Sequence, residues 1–161
     1  MTPSKIIATH GHIDHIFGAR FLNQTYHKPL LIHPDDQFLI NDAQALAAMF
    51  GLTAKPPEKT ASISEKDTPK LGDSSINIIH VPGHSPGNIA LYIKDQNILF
   101  CGDLLFHRSI GRSDLPGGNQ ATLIHSIKNK IFSLPDETIV YSGHGDETTV
   151  KEEKNLNPFT G

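Results

Sequence analysis

Four side chains of the types that bind metal ions lie close together near the start of the chain. The segment ATHGHIDHIFG, residues 8–18, places His10, His12, Asp14 and His15 within six positions. Neutral imidazole and carboxylate are the ordinary protein ligands of Zn²⁺ and of neighbouring transition metals. The pattern H-x-H-x-D-H has no evident packing or capping purpose, so it predicts a metal site. Its alternation lets His10 and His12 reach one ion while Asp14 and His15 face a second.

Three further candidate ligands lie in short loops, each of which follows a β-rich run. They are His84 in PGHSPG, Asp103 in CGD and His144 in SGHG. Ligands usually bind at strand ends along one edge of a sheet in layered α/β folds, so these loops are expected to converge with the first one. Seven ligands suit two ions. His84 would complete the first site and His144 the second, with Asp103 bridging both ions through its two oxygens.

The other histidines and the single cysteine carry weaker signals. The expected places of His27, His33 and His125 are the surface or element edges. His80 is expected inside a strand, and His107 beside a Gly-rich loop. Cys101 is expected to be a buried core thiol rather than a nucleophile, because no histidine of the motif neighbours it.

The Gly-rich loop GRSDLPGG brings charge close to the predicted metal loops. Arg108, Arg112 and Asp114 lie in it or beside it. The loop could be only a turn-rich connection, but such charges can also bind substrate or orient metal ligands. Arg108 and Arg112 are therefore candidate substrate contacts.

Length and charge exclude several classes of protein. One domain spanning residues 1–161 is the default at this size. The net charge is −3, and the 14 lysines and arginines form no clustered stripe, so the sequence shows no basic surface for binding nucleic acid. No signal peptide or membrane span is visible, and one cysteine permits no internal disulfide. A cytoplasmic protein is the expectation.

Apolar periodicity predicts alternating strands and helices at both ends of the chain. Strands are expected at residues 5–9, in PLLIH, in SINIIHV, NIALYIK and NILFCG, and in TIVYS. Helices are expected at residues 16–26, 34–50 and 120–134, and in TTVKEEKN with its charged residues in solvent. The polar segment 52–72, with three prolines, is expected to be a surface loop or lid. This order predicts an α/β fold with a mixed sheet.

The metal motifs together resemble the metallo-β-lactamase superfamily, and within it the small single-domain bacterial branch of the glyoxalase II group. The resemblance runs from ATHGHIDHIFG through VPGHSPGNIALY and CGDLLFHRSIGRSDLPGGN to YSGHGDETTVKEEKNLNPF, which is nearly the whole chain. It implies an αββα sandwich with mixed sheets. It also implies the same two sites, His10, His12 and His84 for one ion and Asp14, His15 and His144 for the other, bridged by Asp103.

The resemblance further implies a metal-dependent hydrolase that cleaves a thioester such as S-lactoylglutathione, with a metal-bound hydroxide as the nucleophile. Asp14 would orient that hydroxide while remaining a ligand. The cofactor would be two divalent ions, zinc first, with iron or manganese open because similar ligand sets serve all three. The partner would be a small thioester, with no nucleic acid and no membrane.

Two other functions stay open. A mononuclear iron persulfide dioxygenase would use His10, His84 and Asp103 and retain much of the same motif. A non-catalytic metal-binding module is the other, because family members carry roughly fifty residues before the H-x-H-x-D-H loop, within ordinary domain dimensions. The expected sandwich therefore lacks the first strands of one sheet and exposes an edge. Truncation, strand exchange in a homodimer and a minimal variant would each account for this.

Overall fold

The computed structural model describes residues 2–160, which form short strands and helices in alternation. The strands are β1 (Ile6–Ile7), β2 (Leu30–Ile32), β3 (Thr60–Ser62), β4 (Lys70–Leu71), β5 (Ser74–His80), β6 (Ile89–Ile93), β7 (Ile98–Gly102), β8 (Leu105–Phe106), β9 (Ser109–Ile110), β10 (Ile139–Ser142) and β11 (Thr148–Thr149). The α-helices are α1 (Ile13–Ile16), α2 (Ala19–Tyr26), α3 (Gln37–Asn41), α4 (Ala43–Met49), α5 (Gln120–Ser126) and α6 (Val150–Leu156). These helices are all too short to cross a membrane.

Two sheets carry the fold, and a small β8–β9 hairpin accompanies them. The smaller sheet has the order β1-β2-β3 with parallel pairing throughout. The larger sheet has the order β11-β10-β7-β6-β5-β4. Its strands pair antiparallel except for the parallel pair of β7 and β10, so this sheet is mixed as the sequence predicts.

Apolar side chains define four layers, because successive residues of a strand face opposite sides of its sheet. Between the sheets lie Ile63, Ile78 and Ile89, with Ile7, Leu31 and Leu91 packed against them. The outer face of the smaller sheet packs on the N-terminal helices through Leu30, Ile32, Ile16, Ala19, Ile40 and Ala43. The outer face of the larger sheet packs on α5 and α6 through Leu99, Cys101, Val140, Leu123, Ile127 and Val150. The predicted αββα sandwich is confirmed.

The smaller sheet leaves part of the larger one uncovered. Phe100 pairs in register with Leu91 and lies on the same, inner face of the larger sheet, yet it is 40% exposed. Its ring stacks on Tyr141 of the neighbouring strand, with ring centroids 5.4 Å apart. Within residues 2–160, β1 and β3 are the edge strands of the smaller sheet.

Several predicted elements differ from the observed ones. Segment 52–72 is not wholly a loop, because it contributes β3 and β4 as short edge strands. Strands of two or three residues are too short to give a periodic signal, which is why the sequence pattern misses them. The predicted helix 34–50 is a 3₁₀ turn (Pro34–Asp36) followed by α3 and α4, which meet at the non-helical Asp42. The predicted helix 120–134 is α5 followed by a π-helical turn, Ile127–Ile131.

One charged residue of α6 was wrongly predicted to face solvent. Glu153 is fully buried. Its carboxylate accepts hydrogen bonds from the Arg108 guanidinium at 2.9 Å, the Thr148 hydroxyl at 2.6 Å and the Asn157 amide at 2.7 Å. A buried carboxylate needs such partners, and here they come from the β8–β9 hairpin and from both ends of α6. Glu153 therefore anchors α6 to the sandwich.

The strand ends bring the predicted ligands to one edge of the sandwich. The H-x-H-x-D-H loop follows β1 of the smaller sheet, while the loops with Asp103 and His144 follow the adjacent parallel strands β7 and β10. The Thr9 carbonyl accepts a hydrogen bond from the Ile89 amide at 2.8 Å, which joins the first loop to the larger sheet. The site thus lies where the ends of the two sheets meet.

Candidate metal centre

Three imidazoles from two loops converge on one point. His84 Nε2 lies 2.8 Å from His12 Nδ1 and 3.2 Å from His10 Nε2. The three rings are nearly perpendicular in the pairs that His84 makes, with interplanar angles of 81° and 86°. In a tetrahedral zinc site with Zn–N near 2.0–2.1 Å, two ligand nitrogens lie roughly 3.3 Å apart. This donor set therefore fits a single divalent ion.

Hydrogen bonds and burial prepare these rings as ligands. The Arg112 carbonyl accepts a hydrogen bond from His84 Nδ1 at 2.7 Å, which leaves the lone pair on Nε2 facing the other rings. Burial lowers the pKa of His10 well below its usual value, and the neighbouring imidazoles lower it further. Burial and then the charge of His84 lower the pKa of His12 to about 4. Both rings are thus neutral near pH 7, which is the form that binds a metal.

A second group lies beside the first and contains two carboxylates. His144 Nε2 is 3.0 Å from Asp14 Oδ2, and His15 Nε2 is 3.2 Å from Asp103 Oδ1. Burial opposes protonation of His15, but the Asp103 carboxylate outweighs it and raises the pKa of His15. Burial would raise the pKa of Asp103, but His15 outweighs it and lowers that pKa. The Asp103 side chain is therefore ionised, as a ligand must be.

Asp103 lies between the two groups. Its Oδ2 is 3.8 Å from His84 Nε2 of the first group and 3.5 Å from His144 Nε2 of the second. No other carboxylate among the described residues is paired with a histidine of each group. The structure thus brings together all seven side chains that the sequence predicts, in two groups of which one is His10, His12 and His84.

Gly143 leaves the space that the second group needs. A Cβ built on Gly143 would collide with Asp103 Oδ1 and with the ring of His15. The sequence suggests that this glycine, like its neighbours, serves a tight turn. Gly102, with a φ of 59°, does so, whereas Gly143 is not among the glycines with positive φ. At Gly143 the absence of a side chain makes room for the donor atoms.

A cavity of about 310 Å³ opens next to both groups. Its polar lining includes His12 and His84 of the first group, together with Asp14 and Asp103. The rest of the wall consists of Arg112 and seven apolar residues, which include Leu46, Phe50 and Leu115. Its volume lies at the lower end of the range for small-molecule sites. A ligand in this cavity would touch the donor atoms directly.

The comparisons with known proteins agree with this geometry. A sequence model described as "Metallo-beta-lactamase superfamily" matches residues 1–144. The chain belongs to the metallo-β-lactamase superfamily. It is 45% identical to an uncharacterized protein of Aquifex aeolicus, over 97% of this chain and 74% of that protein. It is 37% identical to a protein of Haemophilus influenzae named hydroxyacylglutathione hydrolase GloC, over 96% of this chain and 74% of that protein.

Solved metallo-β-lactamase structures share the fold. The crystal structure of TTHA1623 in a di-iron-bound form superposes with a TM-score of 0.89 at 39% identity. The match covers 98% of this chain and 77% of that chain. A relative of this similarity therefore holds two metal ions on the same scaffold.

Sequence reasoning missed one residue that supports this site. Asp36 is fully buried, and its carboxylate accepts three hydrogen bonds. The donors are the Gly11 amide at 2.8 Å, the Ser85 hydroxyl at 2.7 Å and the Gly87 amide at 2.6 Å. Asp36 thereby ties the H-x-H-x-D-H loop to the loop that carries His84. The sequence shows only Pro-Asp-Asp at a helix start, so no local signal distinguishes Asp36 from Asp35.

The structure separates the two candidate arginines. Arg112 lines the cavity, but its guanidinium makes two hydrogen bonds to Asp114, at 2.7 and 2.8 Å, and lowers the pKa of Asp114 to about 2. Arg108 does not line the cavity. Its guanidinium and its backbone amide both donate to Glu153. This placement gives Arg108 a structural role and does not support the prediction that it contacts substrate.

The remaining histidines and Cys101 are mostly where the sequence predicts them. His27, His107 and His125 are exposed, and His80 lies in β5. Cys101 is fully buried, and burial raises its pKa to about 12, which confirms an inert core thiol. His33 lies at the end of β2, an element edge as the sequence predicts, although its side chain is buried and stacks on the ring of His80.

Proposed function

We propose that this chain is a two-metal hydrolase of thioesters, with S-lactoylglutathione as a first substrate. The observation that carries the proposal is the pair of donor groups with Asp103 between them, beside a cavity of small-molecule size. The relative named hydroxyacylglutathione hydrolase supports the reaction class. Zinc is the first expectation, and the di-iron form of a related structure supports iron as an alternative with the same ligands.

The proposed ligand assignment follows the two groups. His10, His12 and His84 would hold one ion, Asp14, His15 and His144 would hold the other, and Asp103, which lies between the two groups, would be shared by both ions. Bound ions of this kind lower the pKa of a water molecule to about 7 and polarise a carbonyl oxygen. The chain itself supplies the apolar lining of the cavity and holds the metal-ligating side chains in place.

Asp14 is the proposed catalytic residue. Its Oδ2 faces His144, and its side chain is 53% exposed and lines the cavity. Its second oxygen can therefore accept a hydrogen bond from the attacking water and orient a lone pair of that water towards the substrate carbonyl. The sulfur that leaves needs little help from an acid, because a thiol has a pKa of about 8.5. This favours thioesters over amides.

The test is to measure metal content and turnover on the same preparation. Elemental analysis is expected to give two metal ions per chain, and S-lactoylglutathione is expected to be hydrolysed with release of free thiol. Asp103→Ala is expected to reduce occupancy below two ions and to abolish turnover. A variant that kept full metal content and full turnover would disprove the bridging assignment.

The alternative functions predict other results. One iron per chain, with oxygen consumption in the presence of glutathione persulfide, would identify a dioxygenase instead. Full metal loading without turnover of any thioester or ester would identify a non-catalytic metal-binding module.

A further inference from the structure

The cavity next to the metal centre has two chemically different sides. One side carries the donor residues, among them His12, Asp14 and Asp103. The other is built by Leu46 of α4 with Phe50 and Leu52 just after it, and by Leu115 and Pro116 of the Gly-rich loop. A substrate carbonyl at the metal centre therefore has one substituent facing an apolar wall.

Charge is nearly absent from that wall. Among the residues that line the cavity, Arg112 is the one cation, and its guanidinium is already paired with Asp114 at the surface. The glutathione part of a thioester carries two carboxylates and an ammonium group. Burying these against leucine and phenylalanine would be costly, because charged groups lose their hydration there without gaining partners. The cavity thus suits an uncharged group.

The opposite side of the centre suits the charged part. The side chain of His144 does not line the cavity and is 58% exposed. A thiol carrier placed on this side keeps its charges in water, and the thiolate that leaves can take up a proton from solvent. The acyl group then points into the apolar cavity.

We infer that this cavity selects thioesters with a hydrophobic acyl chain, longer than the lactoyl group, and leaves the thiol carrier in solvent. The inference rests on the proposed function and specifies its substrate class. A cavity of 310 Å³ holds roughly ten groups of the size of a water molecule, at about 30 Å³ each. A straight acyl chain of medium length fills it.

The test uses a series of S-acyl-N-acetylcysteamine thioesters from acetyl to decanoyl, with the same acyl groups on glutathione. The metal-loaded protein is expected to show kcat/KM rising by up to about fourfold per methylene group until the cavity is full. S-Lactoylglutathione is expected to rank below butyryl- and hexanoylglutathione. A flat or falling series, or S-lactoylglutathione as the best substrate, would overturn the inference while leaving the hydrolase intact. No turnover of any thioester would instead disprove the proposed function.

A pair of variants on α4 locates the selectivity. Leu46 lines the cavity, whereas Met49 of the same helix is 77% exposed and does not. Leu46→Trp is expected to lower kcat/KM for octanoyl thioesters at least about tenfold and for acetyl thioesters less than about twofold, because the bulky ring fills the cavity. Met49→Trp is expected to change neither.

A smaller side chain at the same position gives the opposite shift. Leu46→Ala is expected to move the optimum towards longer chains, and it remains informative if the tryptophan variant does not fold. An equal loss for all acyl groups in both Leu46 variants, or the same shift of preference in Met49→Trp, would contradict the assignment of this wall.

Discussion

Within residues 2–160, histidine and aspartate form the two groups of the metal centre and one further group, and that further group is not arranged as a metal site. In each group, the candidate ligand atoms lie within 4.8 Å of one another. The further group, the stacked cluster, consists of His33, Asp35 and His80, on β5 and at the end of β2. Proximity alone therefore does not separate the metal centre from the stacked cluster.

Ring orientation and hydrogen bonding do separate them. In the metal centre the rings of His12 and His84 are perpendicular, so their in-plane lone pairs can meet at one point. The rings of His33 and His80 are stacked, with centroids 4.1 Å apart and an angle of 11° between planes, so their lone pairs run nearly parallel. His80 Nε2 is also engaged, at 2.8 Å, by the Pro86 carbonyl. A metal site thus depends on the groups that orient the imidazoles, not on their number.

The largest expected effect separates the two clusters by removing one histidine from each. His84→Ala is expected to lose the ion of the first group and to lower turnover at least about a hundredfold, because a direct ligand matters more than its supports. His80→Ala is expected to retain full metal content, because its ring does not point at an ion. Elemental analysis and thioesterase assays on both variants check this. Equal metal loss in the two would show that the stacked pair also binds metal.

A smaller effect is expected from two neighbouring aspartates, of which Asp36 supports the metal centre and Asp35 belongs to the stacked cluster. Asp36→Asn places an amide NH₂ against three donors, Gly11, Ser85 and Gly87, so the two ligand loops lose their common anchor. We expect a loss of metal affinity of about 10–100-fold, the range for residues that orient ligands. Asp35→Asn is the matched control, because the Asp35 side chain is 55% exposed. Competition with a chelator measures both affinities, and equal values would show that Asp36 does not position the loops.

The smallest expected effect concerns pH and the stacked pair. Burial lowers the pKa of His33, as does the charge of His80, while Asp35, Asp36 and Glu65 act in the opposite direction without outweighing them. The unfolded chain then binds more protons at His33 than the folded protein does, so stability falls as the pH drops below about 6.5.

The variant His33→Gln removes this contribution. The decrease in Tm between pH 7.5 and pH 5.5 is expected to be smaller in His33→Gln than in the natural chain, by a few degrees at most. The metal ligands titrate in the same way in both proteins, so their effect cancels when the two decreases in Tm are compared. Thermal unfolding at the two pH values measures it, and an identical decrease in both proteins would contradict the assignment.

The residue pattern predicted an α/β fold with a mixed sheet and the set of donor residues because both leave local signals, whereas the αββα sandwich was implied by the family resemblance. In strands that bury one face, apolar residues recur at every second position. The candidate ligands His84 and His144 follow shortly after two such strands. Edge strands such as β3 are too short to leave such a signal. The sequence also predicted residues 34–50 as one continuous helix, because the break at Asp42 depends on how α3 and α4 pack.

By itself, then, the sequence pattern predicted the α/β class with a mixed sheet, the seven candidate donor residues and the inert core thiol. Only the tertiary structure decided what Asp36, Glu153 and the stacked histidines do. Asp36 bonds to residues 25, 49 and 51 positions away, and Glu153 bonds to Arg108, 45 positions away. A buried carboxylate is defined by the donors that surround it, and those donors come together only when the two sheets and their loops pack.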